Sequence, residues 1–305
     1  MLNFLVVGFG KIGSEHLKAI KKIKLKKKIW IFDPFINEKT SFSKKTSIFR
    51  VNKIKKIPNR LKVNLLIMSG LSKDRYLLTN KILKKVSAKN VLFEKTVFSK
   101  SNQIKLFINS KLFKMNNMYV NTWKKNIFSK FDLSFLNYND LNIKVELRRE
   151  NYLNNLCHLL EVYRVFINGE KLVIKSNEIK NLVNYNNLYS VCDGKIVLNS
   201  KKIKMTIKTK KVKKGNIELS FYSKKKLIER IVFNGNFEIF HIYKKNNIKF
   251  SKKISFPKIK NTTYEFINRL NKKQKVDLTL LKDHYKLSYK MIKNFENLNK
   301  KIMFK

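Results

Sequence analysis

Glycine, proline, cysteine and arginine are all scarce in this chain, and each scarcity excludes something. Two cysteines, Cys157 and Cys192, allow at most one bridge, so a disulfide-stapled scaffold is excluded. Neither sits in a CxxC pair, and the four histidines (His16, His158, His241, His284) are far apart in sequence. No zinc-type ligand spacing exists, and no metal is expected. No uncharged apolar run reaches the ~18 residues that a helical membrane span needs. The opening residues run straight into a strand-like segment, leaving no apolar leader with a small-residue cleavage site, so a cytoplasmic protein is the expectation.

Acidic residues are also few: 20 against 69 lysines and arginines, a formal net charge of +49. Such a balance invites a nucleic-acid reading. Yet only 8 of the 69 are arginine, the usual bidentate reader of phosphates and bases, and the lysines are spread along the whole chain. Abundant Lys, Asn, Ile and Phe beside little Gly, Pro and Ala is what A/T-rich codons produce. No nucleic-acid partner is expected; a site favouring phosphorylated small molecules is compatible with the charge. With 305 residues, 43% of them hydrophobic, the chain can bury a sizeable core in two domains.

Along the chain, short apolar runs at 2–7, 29–32, 63–68, 90–93 and 118–121 read as buried strands. Helical spacing separates them: Ile12, His16, Leu17, Ile20 and Ile23 in the first, Leu77, Leu78, Ile82 and Leu83 inward at 74–86, and a further helix at 101–112. Strands alternating with helices imply a doubly wound parallel sheet over residues 1–121. From 122 to 305 the character changes. A helix at 152–167 precedes Asn168-Gly169, Asp193-Gly194 and Asn234-Gly235, all hairpin signals, and alternating runs such as 203–207 and 217–221. This half reads as an α+β domain with a large open, mostly antiparallel sheet, closed by a helix at 280–296.

Three of the chain's eight glycines, Gly8, Gly10 and Gly13, fall within six residues between the first strand and the first helix. In a chain so poor in glycine, the residue persists mainly where backbone geometry requires it. This is the GxGxxG setting: Gly8 for the tight turn, Gly10 for close approach of a pyrophosphate, Gly13 for helix-on-strand packing, with Phe9, Lys11 and Ile12 filling the turn. Asp33, twenty residues after Gly13, ends the second strand. Two readings stand for it: an acceptor for adenosine ribose hydroxyls, which favours NAD over NADP, or an ordinary turn Asp before Pro34. Strand-end Ser69 and Glu94 join the candidate cofactor set.

These residues resemble the glucose–fructose oxidoreductase/inositol dehydrogenase (Gfo/Idh/MocA) family. The resemblance rests on GFGKIGSEHLKAI at 8–20, VLFEKT at 91–96 against the family's Glu-Lys-Pro signature, NLCHLLE at 155–161, and LTLLKDH at 278–284. It implies an N-terminal Rossmann domain holding NAD and a C-terminal domain whose open sheet makes oligomers. Implied substrates are sugars, cyclitols or nucleotide-linked sugars. Lys95 would reach cofactor and substrate hydroxyl, and His158 would be general acid or base, with Asn121 and Asn155 at the substrate. Three positions depart: Thr96 stands for the signature proline, Asn154 for an Asp four before the His, and Glu161 for an Asp three after it. An Asn three before the His, here Asn155, is common in a branch associated with surface-polysaccharide sugar genes. Read without the resemblance, His158 is as well a satisfied helix histidine, and Lys95 one surface lysine among many. His16 and His284 read as helix-packing residues; Arg148 and Arg149 read as anion ligands or a solvated turn. Two functions follow: an NAD-dependent sugar oxidoreductase, or an altered Rossmann protein that binds NAD as sensor or scaffold.

Overall fold

A computed structural model of the chain describes residues 1–122, 141–148, 159, 161, 173–185, 189–201, 203–210, 217–233, 238–245, 248–255 and 258–303. The chain forms two compact units, Met1–Trp123 with Pro257–Glu296, and Lys124–Phe256 with Asn297–Lys305.

The first unit opens with β1 (Leu2–Val7), α1 (Lys11–Lys21) and β2 (Lys27–Phe32). A hairpin follows, β3 (Lys39–Ser43) and β4 (Thr46–Val51), then β5 (Leu61–Met68), α2 (Ser72–Lys85) and β6 (Val86–Phe93). Two short helices, α3 (Ser101–Ile108) and α4 (Lys111–Lys114), lead to β7 (Asn117–Val120). The order β7-β6-β5-β1-β2-β4-β3 is parallel except for β3 against β4. β1 lies between β2 and β5 and is parallel to both, so the strand order runs outward in opposite directions on either side of it, and the crevice at the carboxyl ends opens beside its last residue.

In α1 the buried face is Gly13, His16, Leu17, Ala19 and Ile20. α2 differs from its sequence reading. Leu77 is 60% exposed, and the buried residues are Arg75, Thr79, Ile82 and Leu83. The helix is turned because the Arg75 side chain goes inward to donate to backbone carbonyls, which outweighs burying one leucine (about 2 kcal/mol).

The second unit carries β8 (Leu141–Arg148), β9 (Val173–Tyr185), β10 (Tyr189–Asn199), β11 (Ile203–Lys210), β12 (Ile217–Ser223), β13 (Lys226–Phe233), β14 (Glu238–Lys245) and β15 (Ile248–Ser255). Its order is β15-β14-β13-β12-β8-β11-β10-β9, antiparallel except for β8 with β11. Ile203, Met205 and Ile207 are buried while Lys204 and Lys208 are exposed, the alternation of a sheet with one dry face. Asp193-Gly194 is not a hairpin. It lies inside β10, next to a register shift between Val191 and Asp193, where the pair relieves a bulge. The tight turn between β12 and β13 is made instead by Lys224 and Lys225, both at positive φ (47° and 67°). Asn168-Gly169, Asn234-Gly235, Arg149 and most of the helix expected at 152–167 lie outside the described residues.

The chain then returns to the first unit through α5 (Ile259–Asn271), β16 (Thr279–Leu280), which pairs antiparallel with β7, and the part of α6 (Leu281–Met303) up to Glu296. Sequence reading assigned everything after 121 to the second domain and had no helix at 259–271. Phe266 and Ile267 of α5 join Leu17, Ile20, Ile29 and Leu65 in one core, and the Phe266 ring meets Tyr119 edge-on at 5.0 Å. Burial of these two side chains, ~2 kcal/mol each, ties this late helix to the first sheet. No helix among the described residues is long and apolar enough to cross a membrane.

Candidate functional site

The turn from β1 into α1 is set by its glycines. Gly8 has φ +90°, and a Cβ there would stand 2.3 Å from the Gly70 nitrogen. At Gly13 a Cβ would meet the Gly8 carbonyl oxygen at 2.0 Å. Both positions exclude any side chain. Gly10 is different: a Cβ there meets nothing within 4 Å, so its edge is open. Ser69 Oγ donates to the Gly8 carbonyl at 2.7 Å and braces the turn from the end of β5.

α1 begins after Gly10 with no side-chain cap and no acidic residue in its first turn. Its first intrahelical bond runs from the Ser14 amide to the Gly10 carbonyl. The amides of Lys11, Ile12 and Gly13 therefore point out of the helix at its positive end, the arrangement that receives phosphate. Asp33 closes the turn from the end of β2. Its Oδ2 accepts from the Phe9 amide at 2.7 Å and its Oδ1 from the Phe35 amide at 2.9 Å. Asp33 therefore organises the turn, one of its two sequence readings, and also lines a pocket. That pocket, of about 530 Å³, is bounded by Phe9, Gly10, Asp33, Phe35, Ile36, Asn37 and Arg50.

At the end of β6 a buried polar network holds Glu94, which is 5% exposed. Its Oε1 is bonded to His16 Nε2 at 3.0 Å and accepts from Asn121 Nδ2. His16 Nδ1 pairs with Thr263 Oγ1 of α5 at 2.8 Å. Burial alone pushes the Glu94 carboxyl up, but the His16 hydrogen bond and charge, the nearby Lys95 charge and the Asn121 amide outweigh it and hold the group below its usual range. An ionised carboxylate only accepts, so the Nε2 proton of His16 lies on the Glu94 side. His16 is thus a buried helix residue, as its spacing suggested, and also the link between α1, β6 and α5.

Lys95, half-buried, follows Glu94. The turn that carries it is fastened from below by Arg75. That guanidinium, 3% exposed, donates to the carbonyls of Gly70, Glu94, Thr96 and Val97, which joins the loops after β5 and β6. Of the sequence-chosen residues, Gly8, Phe9, Gly10, Lys11, Ile12, Gly13, Asp33, Ser69, Glu94, Lys95 and Asn121 gather at the carboxyl edge of the parallel sheet. Asn121 and Glu94 are bonded to one another rather than spread along the crevice. His158 and Asn155, with Asn154, lie outside the described residues. His284 is buried in α6, and Arg148 ends β8.

Sequence reading missed Arg75, Arg50, Phe35 and Thr263. One signal existed for the arginines. In a chain where lysine fills nearly every basic position, the 8 arginines mark places where a planar, many-donor head is needed.

Residues 2–110 match the model of the Gfo/Idh/MocA oxidoreductase family, NAD-binding Rossmann fold. The match covers the first sheet's parallel strands β1, β2, β4, β5 and β6 and stops before β7. A sequence search of curated proteins finds no match. Solved structures extend the likeness in fold over the whole chain. An oxidoreductase from Agrobacterium radiobacter, in complex with NAD+, L-tartaric acid and magnesium, is 12% identical with a TM-score of 0.66, covering 96% of this chain and 94% of its own. An oxidoreductase from Bacillus cereus is 13% identical at TM-score 0.63, covering 96% and 95%. The transcriptional regulator Gal80p from Kluyveromyces lactis is 12% identical at TM-score 0.66, covering 96% and 88%.

For a Gfo/Idh/MocA nucleotide-binding domain, the open edge at Gly10 has a testable meaning. Gly10 sits at φ −74°, ψ −161°, where alanine is comfortable. Gly10→Ala is expected to leave the melting temperature within about 2 °C yet weaken NAD+ about tenfold, because the methyl occupies the pyrophosphate approach. Thermal melts and calorimetry check the two halves separately.

Proposed function

We propose that this protein is an NAD-dependent oxidoreductase that moves a hydride to or from a secondary alcohol of a sugar, cyclitol or nucleotide-linked sugar. It would work in the cytoplasm, as a homo-oligomer formed through the C-terminal sheet, with surface-polysaccharide sugars as the narrower substrate class. The observation that carries the reading is the uncapped start of α1 beside an open Gly10, with Lys95 just past the end of β6, two strands from β1 in the same parallel sheet. The residues present fit a dinucleotide: outward amides for the paired phosphates, and a carboxylate in the adjoining pocket for the ribose. Bound NAD+ would supply the hydride acceptor.

The chain's own residues do the rest. Lys95 donates a hydrogen bond to the reacting oxygen and stabilises alkoxide character. His158 takes the hydroxyl proton during oxidation and returns it in reduction, the task suited to an imidazole near neutrality. Glu94, held by His16 and Asn121, keeps a negative charge next to Lys95 in sequence. Asn121 and Asn155 are assigned to the substrate side.

Asp33→Ala is expected to weaken NAD+ by about tenfold or more, since it removes a ribose acceptor and frees the Phe9 and Phe35 amides that shape the turn. Isothermal calorimetry with NAD+ and NADH measures it. No heat from the parent protein with either form overturns the whole reading. A second reading draws on the likeness to Gal80p, a transcriptional regulator by name: binding without turnover. Tight NADH binding with no turnover on sugars, cyclitols, nucleotide sugars or keto acids favours it.

A further inference from the structure

Arg50 lines the pocket next to the glycine turn and faces the same space as Asp33. It lies on β4, with its Cα partnered to Ile31 of β2 on one side and Lys39 of β3 on the other. Its guanidinium stands over the Phe9 ring, 5.8 Å from the centroid. Phe9 is the residue whose amide is bound to Asp33.

The charges around Arg50 are unevenly committed. Asp33 has one oxygen on each of two backbone amides. Glu38, the other carboxylate of this segment, takes Lys56 and the Asn52 amide. The Arg50 guanidinium makes no hydrogen bond or ion pair with any of the described residues beyond its contact with the Phe9 ring. A pocket that receives the adenosine end of a dinucleotide therefore holds one anion already tied to the backbone and one cation with only an aromatic ring beneath it. Lys39, opposite in register and exposed, adds a second cation at that edge. Phe35, 95% exposed at the pocket rim, offers a second aromatic face for a base, so Arg50 is not needed for stacking.

We propose that Arg50 is a specificity-determining residue that receives a ribose 2′-phosphate, and that the site binds NADP(H) as well as NAD(H). This deepens the cofactor reading above and rests on it. A carboxylate at the ribose repels a 2′-phosphate, but a guanidinium in the same pocket offers bidentate, charge-assisted bonds that offset the repulsion.

The test is calorimetric titration of the full chain and its variants with NADP+ and NAD+. In the parent protein the two dissociation constants should agree within about tenfold. Arg50→Ala should weaken NADP+ about tenfold or more while changing NAD+ less than about threefold, and Arg50→Lys should restore part of the NADP+ affinity as a point charge. A parent preference for NAD+ beyond that tenfold margin overturns the proposal. Equal weakening of both dinucleotides in Arg50→Ala also overturns it, by showing that Arg50 serves adenine or the fold. Absence of binding by either dinucleotide is a different result, because it removes the cofactor reading itself.

Discussion

Lys95→Ala is expected to lower turnover about a thousandfold while leaving the NAD+ dissociation constant within about threefold. The split follows from where Lys95 sits. It is half-buried, two residues beyond β6, flanked by Glu94 and Thr96, whose carbonyls are both held by Arg75. The phosphate-receiving amides belong to a different element, the start of α1. On the proposed mechanism, truncating the lysine removes a donor to the reacting oxygen without touching the glycine turn proposed to carry the cofactor. Lys95→Arg should recover little, because a planar fork cannot take the place of a compact ammonium in a turn of fixed shape. Steady-state rates on any competent alcohol, beside calorimetry, read both halves. Near-parent turnover in Lys95→Ala would remove its catalytic assignment. His158→Ala should cost about a hundredfold or more on the same assay through loss of the proton acceptor, an assignment carried by the sequence resemblance.

How far the molecule was legible beforehand depended on the kind of signal each part sends. The glycine turn was readable because geometry excludes every other residue at Gly8 and Gly13, so the two survive in a chain with 8 glycines. The inner strands β1, β5, β6 and β7 were readable because their last residues are buried on both faces and appear as continuous apolar runs. α5 was not readable in the same way. Its inner face mixes Thr262 and Thr263 with Phe266 and Ile267, so half of the periodic positions are polar, and one of them exists to bond His16. The β3–β4 hairpin was missed for the opposite reason: every residue of β3 is exposed, so no apolar run announces it. Asp193-Gly194 misled because composition was taken as position, whereas Lys224 and Lys225 adopt the turn although neither favours positive φ. The inward residue of α2 was hidden because an arginine on a helix normally marks solvent. Only the third dimension reveals that four carbonyls from two loops converge on Arg75.

That convergence makes Arg75→Ala the largest stability loss expected in the first unit, about 3–5 kcal/mol. Two effects oppose one another. Burial disfavours the charged guanidinium and lowers its pKa to about 10, with the Glu94 charge acting in the other direction. At neutral pH the group is still protonated, and its desolvation is a cost that alanine would relieve. Replacing a buried ion pair with apolar side chains is often harmless for that reason, but there both partners leave together. Here the partners are backbone carbonyls of Gly70, Glu94, Thr96 and Val97, and no substitution removes them. At about 1 kcal/mol or more for each acceptor left without a donor, plus the lost attraction to Glu94, orphaning outweighs relief. Arg75→Met fills nearly the same volume without donors and should lose almost as much, which separates hydrogen bonding from packing. Arg75→Lys reaches some of the carbonyls from one nitrogen but cannot span both loops, and should fall between. Denaturant titration orders the four proteins. If Arg75→Met unfolds at the parent midpoint, the loops after β5 and β6 hold their shape without the guanidinium, and the lysine turn owes its geometry to something else.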